Sequence, residues 1–125
     1  MSLAGSKPVT FVMTRDRTVA EAFYGGTLGL ASLPGDDYSS LFDLAGVPLR
    51  LTEVPDHTPS PHPVLGWEVP DIEATVQALT GKGVHFNIYD GMGQDALGIW
   101  TSPDGGTKIA FFNDPDGNAL SLKQG

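Results

Sequence analysis

The sequence has no cysteine, few basic residues and no long apolar run. Without cysteine, disulfides, thiolate catalysis and cysteine-based zinc sites are excluded. Seven Lys and Arg stand against 15 Asp and Glu, which gives a net charge of −8. Nucleic acids and anionic membranes are bound by basic surfaces. We therefore expect neither a nucleic acid nor a membrane as a partner.

The apolar content points to an ordinary globular protein. No apolar segment approaches the roughly 20 residues that a membrane span needs, and residues 1–7 lack the apolar stretch of a signal peptide. With 125 residues, 40% of them hydrophobic, the chain can bury one domain core. We expect a cytoplasmic protein with a single domain.

One pattern of elements occurs twice along the chain. A strand is followed by a helix with an Asp near its start, then by glycines, then by further strands. In the first half Thr18 and Glu21 fit a capping box, with Asp16 as a competing cap; Asp71 is the cap in the second half. The glycines at 25, 26 and 29 are expected to end the first helix. Strands are predicted at 9–14, 30–33, 39–45, 47–53, 64–69, 84–89, 98–101, 107–112 and 119–123.

A proline-rich stretch separates the two halves. Residues 54–63 contain four prolines and almost no hydrophobic periodicity. We interpret the chain as one domain, residues 1–125, made of a module at 8–54, a linker at 55–63 and a module at 64–124. Each module is expected to follow the order βαβββ, with its helix covering one face of its sheet.

Two motifs carry a resemblance to a known family. Residues 16–30, DRTVAEAFYGGTLGL, and residues 111–122, FFNDPDGNALSL, resemble elements of the vicinal oxygen chelate superfamily. That superfamily includes glyoxalase I, bleomycin-resistance proteins, fosfomycin-resistance enzymes and extradiol dioxygenases. The resemblance covers residues 8–123. It implies an α+β fold in which two βαβββ modules form a U-shaped mixed-sheet cleft, often within a homodimer.

The resemblance also implies where a metal would be held. Catalytic relatives bind a divalent metal through His, Glu or Gln on the first and last strands of the modules. The matching positions here are Val9, Arg50, Val64 and Ser121, with Glu53 close enough to Arg50 to leave that alignment open. Valine, serine and arginine are unsuitable ligands for such metals. We therefore predict no metal and no other cofactor.

Three polar residues are candidates for ligand contacts. Ser121 is either a polar anchor or a hydroxyl bonded to nearby backbone. Arg50, expected to share a face with Thr52, either binds an anionic group of a ligand or pairs with an acidic neighbour. Glu68 is either a general base or a surface residue, including a partner of Arg50.

Apolar side chains complete the predicted pocket. Phe11, Met13 and Trp100 are expected to line it, although each can equally be core. Phe86, Tyr89 and one of Phe111 and Phe112 are further candidates, and the pattern does not distinguish the last two. His57 and His62 are interpreted as solvent-exposed, and His85 as structural.

These observations lead to two hypotheses of different classes. The first is a glyoxalase/bleomycin-resistance-like protein that binds a small organic molecule without a catalytic metal. The alternative is a metal-dependent lyase, isomerase or dioxygenase of the same superfamily. Whether the chain is an enzyme, which molecule it binds and whether the modules pair within a chain or across a homodimer all stay open.

Overall fold

The computed structural model describes residues 2–125. The chain divides into two compact units, the first ending at Thr58 and the second starting at Pro59. The elements of the first unit are β1 (Thr10–Thr14), α1 (Arg17–Glu21), a π-helical segment (Ala22–Thr27), β2 (Ala31–Leu33), β3 (Ser39–Leu44) and β4 (Val47–Glu53). Those of the second are β5 (Pro63–Glu68), α2 (Ile72–Gly81), β6 (Trp100–Thr101), β7 (Lys108–Asn113) and β8 (Ala119–Gln124).

The first unit is a four-stranded mixed sheet in the order β1-β4-β3-β2. Strand β1 runs parallel to β4, and the other pairs are antiparallel. Burial alternates along the strands, as it must when one face is covered. Val12, Phe42, Leu49 and Leu51 lie on the covered face with the helical segment, and all four are buried.

The helix of the first unit is capped by Asp16 rather than by the capping box, and it does not end at the first glycine. Asp16 is the cap, because its carboxylate accepts hydrogen bonds from the backbone N–H groups of Thr18 and Val19. The prediction that glycines end the helix is wrong for Gly25 and Gly26, because the π-helical segment passes through both. A Cβ at Gly25 would lie 3.0 Å from the ring of Phe42. The missing side chain therefore lets the segment pack closely on the sheet.

The second unit repeats this plan in a sheet of order β5-β8-β7-β6. Asp71 caps α2, since its side chain accepts from the backbone N–H of Ala74 at 3.0 Å. Ile72 and Val76 of this helix are buried. The sheet face that the helix covers carries buried Leu120, Leu122 and Phe112, among others.

The strand predicted at 84–89 is wrong. Only one isolated bridge, between Phe86 and Phe112, occurs there. The side chain of Gln94 makes hydrogen bonds of the kind that a neighbouring strand would make. It donates to the carbonyls of Asn87 and Gly98, both at 2.9 Å, and it accepts from the backbone N–H of Tyr89 at 2.7 Å. Because these groups are already satisfied, the segment needs no sheet ladder.

With that segment irregular, both units follow the order βαβββ. The predicted α+β class and module order are therefore confirmed, whereas the U-shaped cleft between modules stays a prediction. Strand β5 begins at Pro63, the last residue of the predicted linker. Within residues 2–125, no helix has both the length and the apolar character needed to cross a membrane.

Candidate functional site

In the first unit, the predicted pocket residues lie on the sheet face opposite the helix. Strand pairing places Phe11 beside Arg50 and Met13 beside Thr52. Phe11 is 66% exposed and Met13 48% exposed, so neither belongs to the buried core. The four side chains therefore form a shared surface of two apolar and two polar groups.

Arg50 on this surface is already engaged. Its Nη2 lies 3.3 Å from the Asp36 carboxylate and 3.1 Å from the Ser39 hydroxyl. Backbone hydrogen bonds from Tyr38 and Ser39, together with the Arg50 guanidinium, hold the pKa of Asp36 below its usual range. Of the two roles considered for Arg50, the structure contains the ion pair with an acidic neighbour.

Glu53, the other residue that could match the expected metal position of this strand, is also engaged elsewhere. Glu53 shares a strand face with the buried Leu49 and Leu51, which places it on the other side of the strand from Arg50. Its carboxylate accepts a hydrogen bond from the backbone N–H of Arg17 at 3.2 Å. Glu53 therefore supports the start of α1.

In the second unit, Glu68, Trp100 and Ser121 lie on the face opposite α2. Trp67, the neighbour of Glu68, stacks on Phe112 with ring centroids 6.4 Å apart, so Glu68 points the other way. Its side chain is 86% exposed and lies 3.7 Å from the Lys123 ammonium. Of the roles considered for Glu68, the structure contains the surface residue, and its charged partner is Lys123 rather than Arg50.

The Ser121 hydroxyl lies in space that a glycine leaves open. Gly66 is its partner in the β5–β8 pairing, and a Cβ there would lie 2.5 Å from the Ser121 hydroxyl oxygen. Among residues 2–125 this hydroxyl makes no side-chain hydrogen bond. The hydroxyl occupies the space that a Cβ at Gly66 would fill, and it is able to donate or accept a hydrogen bond.

The structure shows which of the two adjacent phenylalanines is buried in the core. Phe112 is fully buried beneath α2 and packs on Phe86 with ring centroids 5.2 Å apart. Phe111 pairs with Ser121 on the opposite face and makes an edge-to-face contact with Tyr89 at 6.0 Å. Phe86 and Phe112 are therefore core residues, and Phe111 faces the side on which Ser121 lies.

A cavity of about 400 Å³ opens beside Phe111, and we call it the Phe111 cavity. Its volume lies within the range of small-molecule sites, about 300–1,000 Å³. Its lining combines two aromatic rings, other apolar side chains and one imidazole: Pro61, His62, Pro63, Tyr89, Met92, Phe111 and Ala119.

Local contacts hold the rim of this cavity. Gln94 fixes the backbone at Tyr89, and the Ser60 hydroxyl accepts from the backbone N–H of His62 at 3.2 Å. Pro61 and Pro63 on either side of His62 restrict its backbone. Sequence reasoning assigned this stretch to a linker and missed its part in a cavity, although the Pro-His-Pro order signals a stiff segment.

A second cavity, of about 310 Å³, lies in the first unit between the helix and the β2–β3 hairpin. It is more polar, and Arg17, Glu21 and Ser40 line it. Arg17 donates to the Ser40 hydroxyl and to the carbonyls of Asp36 and Asp37. The residues predicted to contact a ligand, Phe11, Met13, Arg50, Thr52, Glu68, Trp100 and Ser121, line neither of these two cavities.

The side chains at the expected metal positions do not fit a divalent metal. Val9 and Val64 are apolar, Ser121 offers one neutral hydroxyl, and Arg50 is a cation paired with Asp36. In the described part of the chain, no cluster of three or more His, Asp or Glu side chains could hold a metal ion. We derive no chemistry through a metal at these positions.

The DPDGN corner before β8 is built around Asp114. Its buried carboxylate accepts from the backbone N–H groups of Asp116 and Asn118 and from the Asn118 side-chain amide, at 2.8–3.0 Å. Gly117 adopts φ +87°, the left-handed conformation that favours glycine. The corner therefore sets the start of β8 and, with it, the position of Ala119 at the cavity.

Comparison with solved structures identifies the fold. A glyoxalase family protein from Enterococcus faecalis aligns with a TM-score of 0.76 and 18% identity over 98% of this chain and 99% of its own. A genomically encoded fosfomycin resistance protein from Listeria monocytogenes gives 0.76 and 12% over 97% and 93%. Lactoylglutathione lyase from Agrobacterium tumefaciens gives 0.72 and 16% over 98% and 96%.

These neighbours belong to the vicinal oxygen chelate superfamily, and the chain has the fold of that superfamily. The resemblance carried by residues 16–30 and 111–122 is thereby confirmed at the level of fold. No protein-family model matches the sequence, and a search of curated proteins found no match. Identities this low show the fold alone, so function has to be argued from the site.

Proposed function

We propose that this protein binds a small organic molecule and that binding needs no catalytic metal. The observation that supports this most directly is the Phe111 cavity, of about 400 Å³, with its largely apolar and aromatic lining. Small-molecule sites combine such linings with a few polar groups that fix orientation. His62 and the Tyr89 hydroxyl are the polar side-chain groups among the lining residues.

The metal positions support the same proposal. Two valines, a serine and an ion-paired arginine stand where a metal-dependent relative would have imidazole or carboxylate ligands. A binding protein of this fold requires none of them. Stoichiometric, tightly held nickel, zinc, manganese or iron in dialysed protein would overturn this part and favour a lyase, isomerase or dioxygenase.

The binding test uses phenylnaphthylamine, a neutral apolar dye whose fluorescence rises when it leaves water. We expect saturable binding to the native protein, weakened at least about tenfold by Tyr89→Ala because an aromatic wall is lost. Tyr38→Ala is the matched control, since Tyr38 is an exposed tyrosine of the first unit outside the cavity. Equal loss in both variants, or no saturable binding, would refute the proposal.

We also propose that the protein is a homodimer and lies in the cytoplasm. Phe11 and Met13 on one face of β1, and Val9 just before this strand, expose apolar side chains that a second copy of the chain would cover. Light scattering after size-exclusion chromatography tests the assembly, with Phe11→Glu expected to give monomers. A wild-type mass of one chain would refute the dimer.

A further inference from the structure

One wall of the Phe111 cavity is a short loop that is closed on itself. Its residues Tyr89 and Met92 both line the cavity. The backbone N–H of Met92 donates to the Tyr89 carbonyl at 3.3 Å, and the side-chain oxygen of Gln94 accepts from the Tyr89 N–H at 2.7 Å. Two glycines between them adopt φ +80° and +75°, the left-handed conformation that favours glycine. We call residues 89–94 the Gln94 loop.

The side-chain amide of Gln94 ties this loop to backbone that is held by other contacts. Its nitrogen donates to the carbonyls of Asn87 and Gly98, both at 2.9 Å. Asn87 is bonded to β7, because its backbone N–H donates to the Phe111 carbonyl at 2.8 Å. Gly98 directly precedes Ile99, which is buried. One amide therefore joins the Gln94 loop both to β7 and to the segment that leads into β6.

We propose that Gln94 is a positioning residue of the Phe111 cavity, which holds the Tyr89 wall in its binding geometry before a ligand arrives. This inference rests on the proposed function, because it concerns the same cavity. The two carbonyls and the N–H around Gln94 match the two hydrogens and the oxygen of its amide. Gln94 is not among the lining residues, so it acts through Tyr89, whose ring contacts Phe111 edge to face at 6.0 Å. A wall that is ordered in advance lowers the entropy cost of binding.

The test replaces Gln94 with methionine, which is similar in length but cannot make these three hydrogen bonds. Gln94→Met should weaken phenylnaphthylamine binding about threefold to tenfold, because the freed wall has to be ordered when the dye binds. Gln77→Met is the matched control, since Gln77 is exposed on α2 and lies outside the lining. Near-UV circular dichroism verifies that both variants are in the native state.

A double-mutant cycle separates this role from a general loss of stability. If Gln94 acts through Tyr89, Gln94→Met should change the dye affinity of Tyr89→Ala by less than about twofold. The same loss in both backgrounds would show that Gln94 acts elsewhere and would refute the proposal. Titrating a fixed amount of dye with excess protein keeps the affinity of the weakest variant measurable.

Amide hydrogen exchange on the native protein gives a second measurement that needs no variant. Without dye, the Tyr89 N–H should already exchange at least about tenfold more slowly than in an unfolded chain, because Gln94 accepts its hydrogen bond. Exchange at the unfolded rate without dye, followed by protection when dye is added, would show that the wall forms only on binding. That result would also refute the proposal.

The outcomes separate this inference from the proposed function. If the dye binds the native protein saturably and Gln94→Met binds it equally well, the role of Gln94 is refuted and the binding function stands. If the native protein shows no saturable binding, or if Tyr89→Ala and Tyr38→Ala lose affinity equally, the proposed function fails and the role of Gln94 fails with it.

Discussion

Replacing Phe112 with alanine should be among the most damaging single changes in the second unit. The ring is fully buried and packs against Phe86 and Trp67. An aromatic ring of this kind buries roughly 150 Å², which at about 25 cal/mol per Å² corresponds to ~4 kcal/mol. Measured Phe→Ala costs in protein cores are about 3–5 kcal/mol, which agrees. Since whole domains are stable by only about 5–15 kcal/mol, the loss would be a large fraction of the total.

The adjacent Phe111 provides a matched control in the same strand. Its ring is half-buried, on the face opposite α2, and its ring contact is with Tyr89. Phe111→Ala should therefore cost about 1–2 kcal/mol, since less apolar area leaves water. It should instead abolish saturable binding of phenylnaphthylamine, because it removes one of the two aromatic rings that line the Phe111 cavity.

Equilibrium unfolding in urea measures the free energy of unfolding of both variants. The two values can be compared if the slope of this free energy against urea concentration is equal in the two variants. The opposite order of stabilities would show that the assignment of sheet faces is reversed. Equal costs would show that both sides of β7 are buried to the same extent, for example by an assembly that covers Phe111.

Three further changes test individual contacts. Gly66→Ala should destabilise by about 1–2 kcal/mol in urea unfolding because its Cβ would meet the Ser121 hydroxyl, and Ser121→Ala should restore part of the loss if that clash is the cause. Asp114→Ala should cost about 2–4 kcal/mol in the same assay, since several buried donors lose their acceptor, and a cost under about 1 kcal/mol would contradict this. The Asp36 carboxyl should titrate below the usual range in an NMR experiment, and Arg50→Gln should raise its pKa. Because the folded-state pKa is lowered, this carboxylate stabilises the fold above its unfolded-state pKa, and the contribution is lost as pH falls through the folded-state pKa; an unchanged titration in Arg50→Gln would contradict the contact.

Elements fixed by local chemistry were predicted closely from the sequence. The bounds of β4, residues 47–53, agree with the structure, and Asp71 caps α2 as its position before an apolar stripe indicates. Both follow from neighbouring residues: alternation and a turn in the first case, and a side-chain cap in the second. The DPDGN corner belongs to the same group, because the Asp114 side chain organises it through bonds to Asp116 and Asn118.

Features that depend on distant residues were not predictable. The pattern around Phe111 and Phe112 allows either to be buried, and the choice is made by the register of β7 with β8 and by the position of α2. Residues 84–89 have the composition of a strand, but the Gln94 side chain bonds the Asn87 carbonyl and the Tyr89 N–H instead of a neighbouring strand. The role of His62 at a cavity depends on Tyr89 and Phe111, which only the folded chain brings to it.

The polar side chains of the proposed site are not those at the strand positions where metal-dependent members of the superfamily hold their ion, although Phe111 is the strand partner of Ser121. At two of those positions, Arg50 already has Asp36 as its partner and Ser121 rests over a glycine. The polar groups that face the Phe111 cavity come instead from the segment before β5 and from the irregular segment after α2. Such segments tolerate changes in sequence more readily than paired strands, because fewer ladder hydrogen bonds constrain them. Under the proposed function, ligand choice would therefore change in these two segments while the βαβββ units stay the same, and one fold can host unrelated functions in this way.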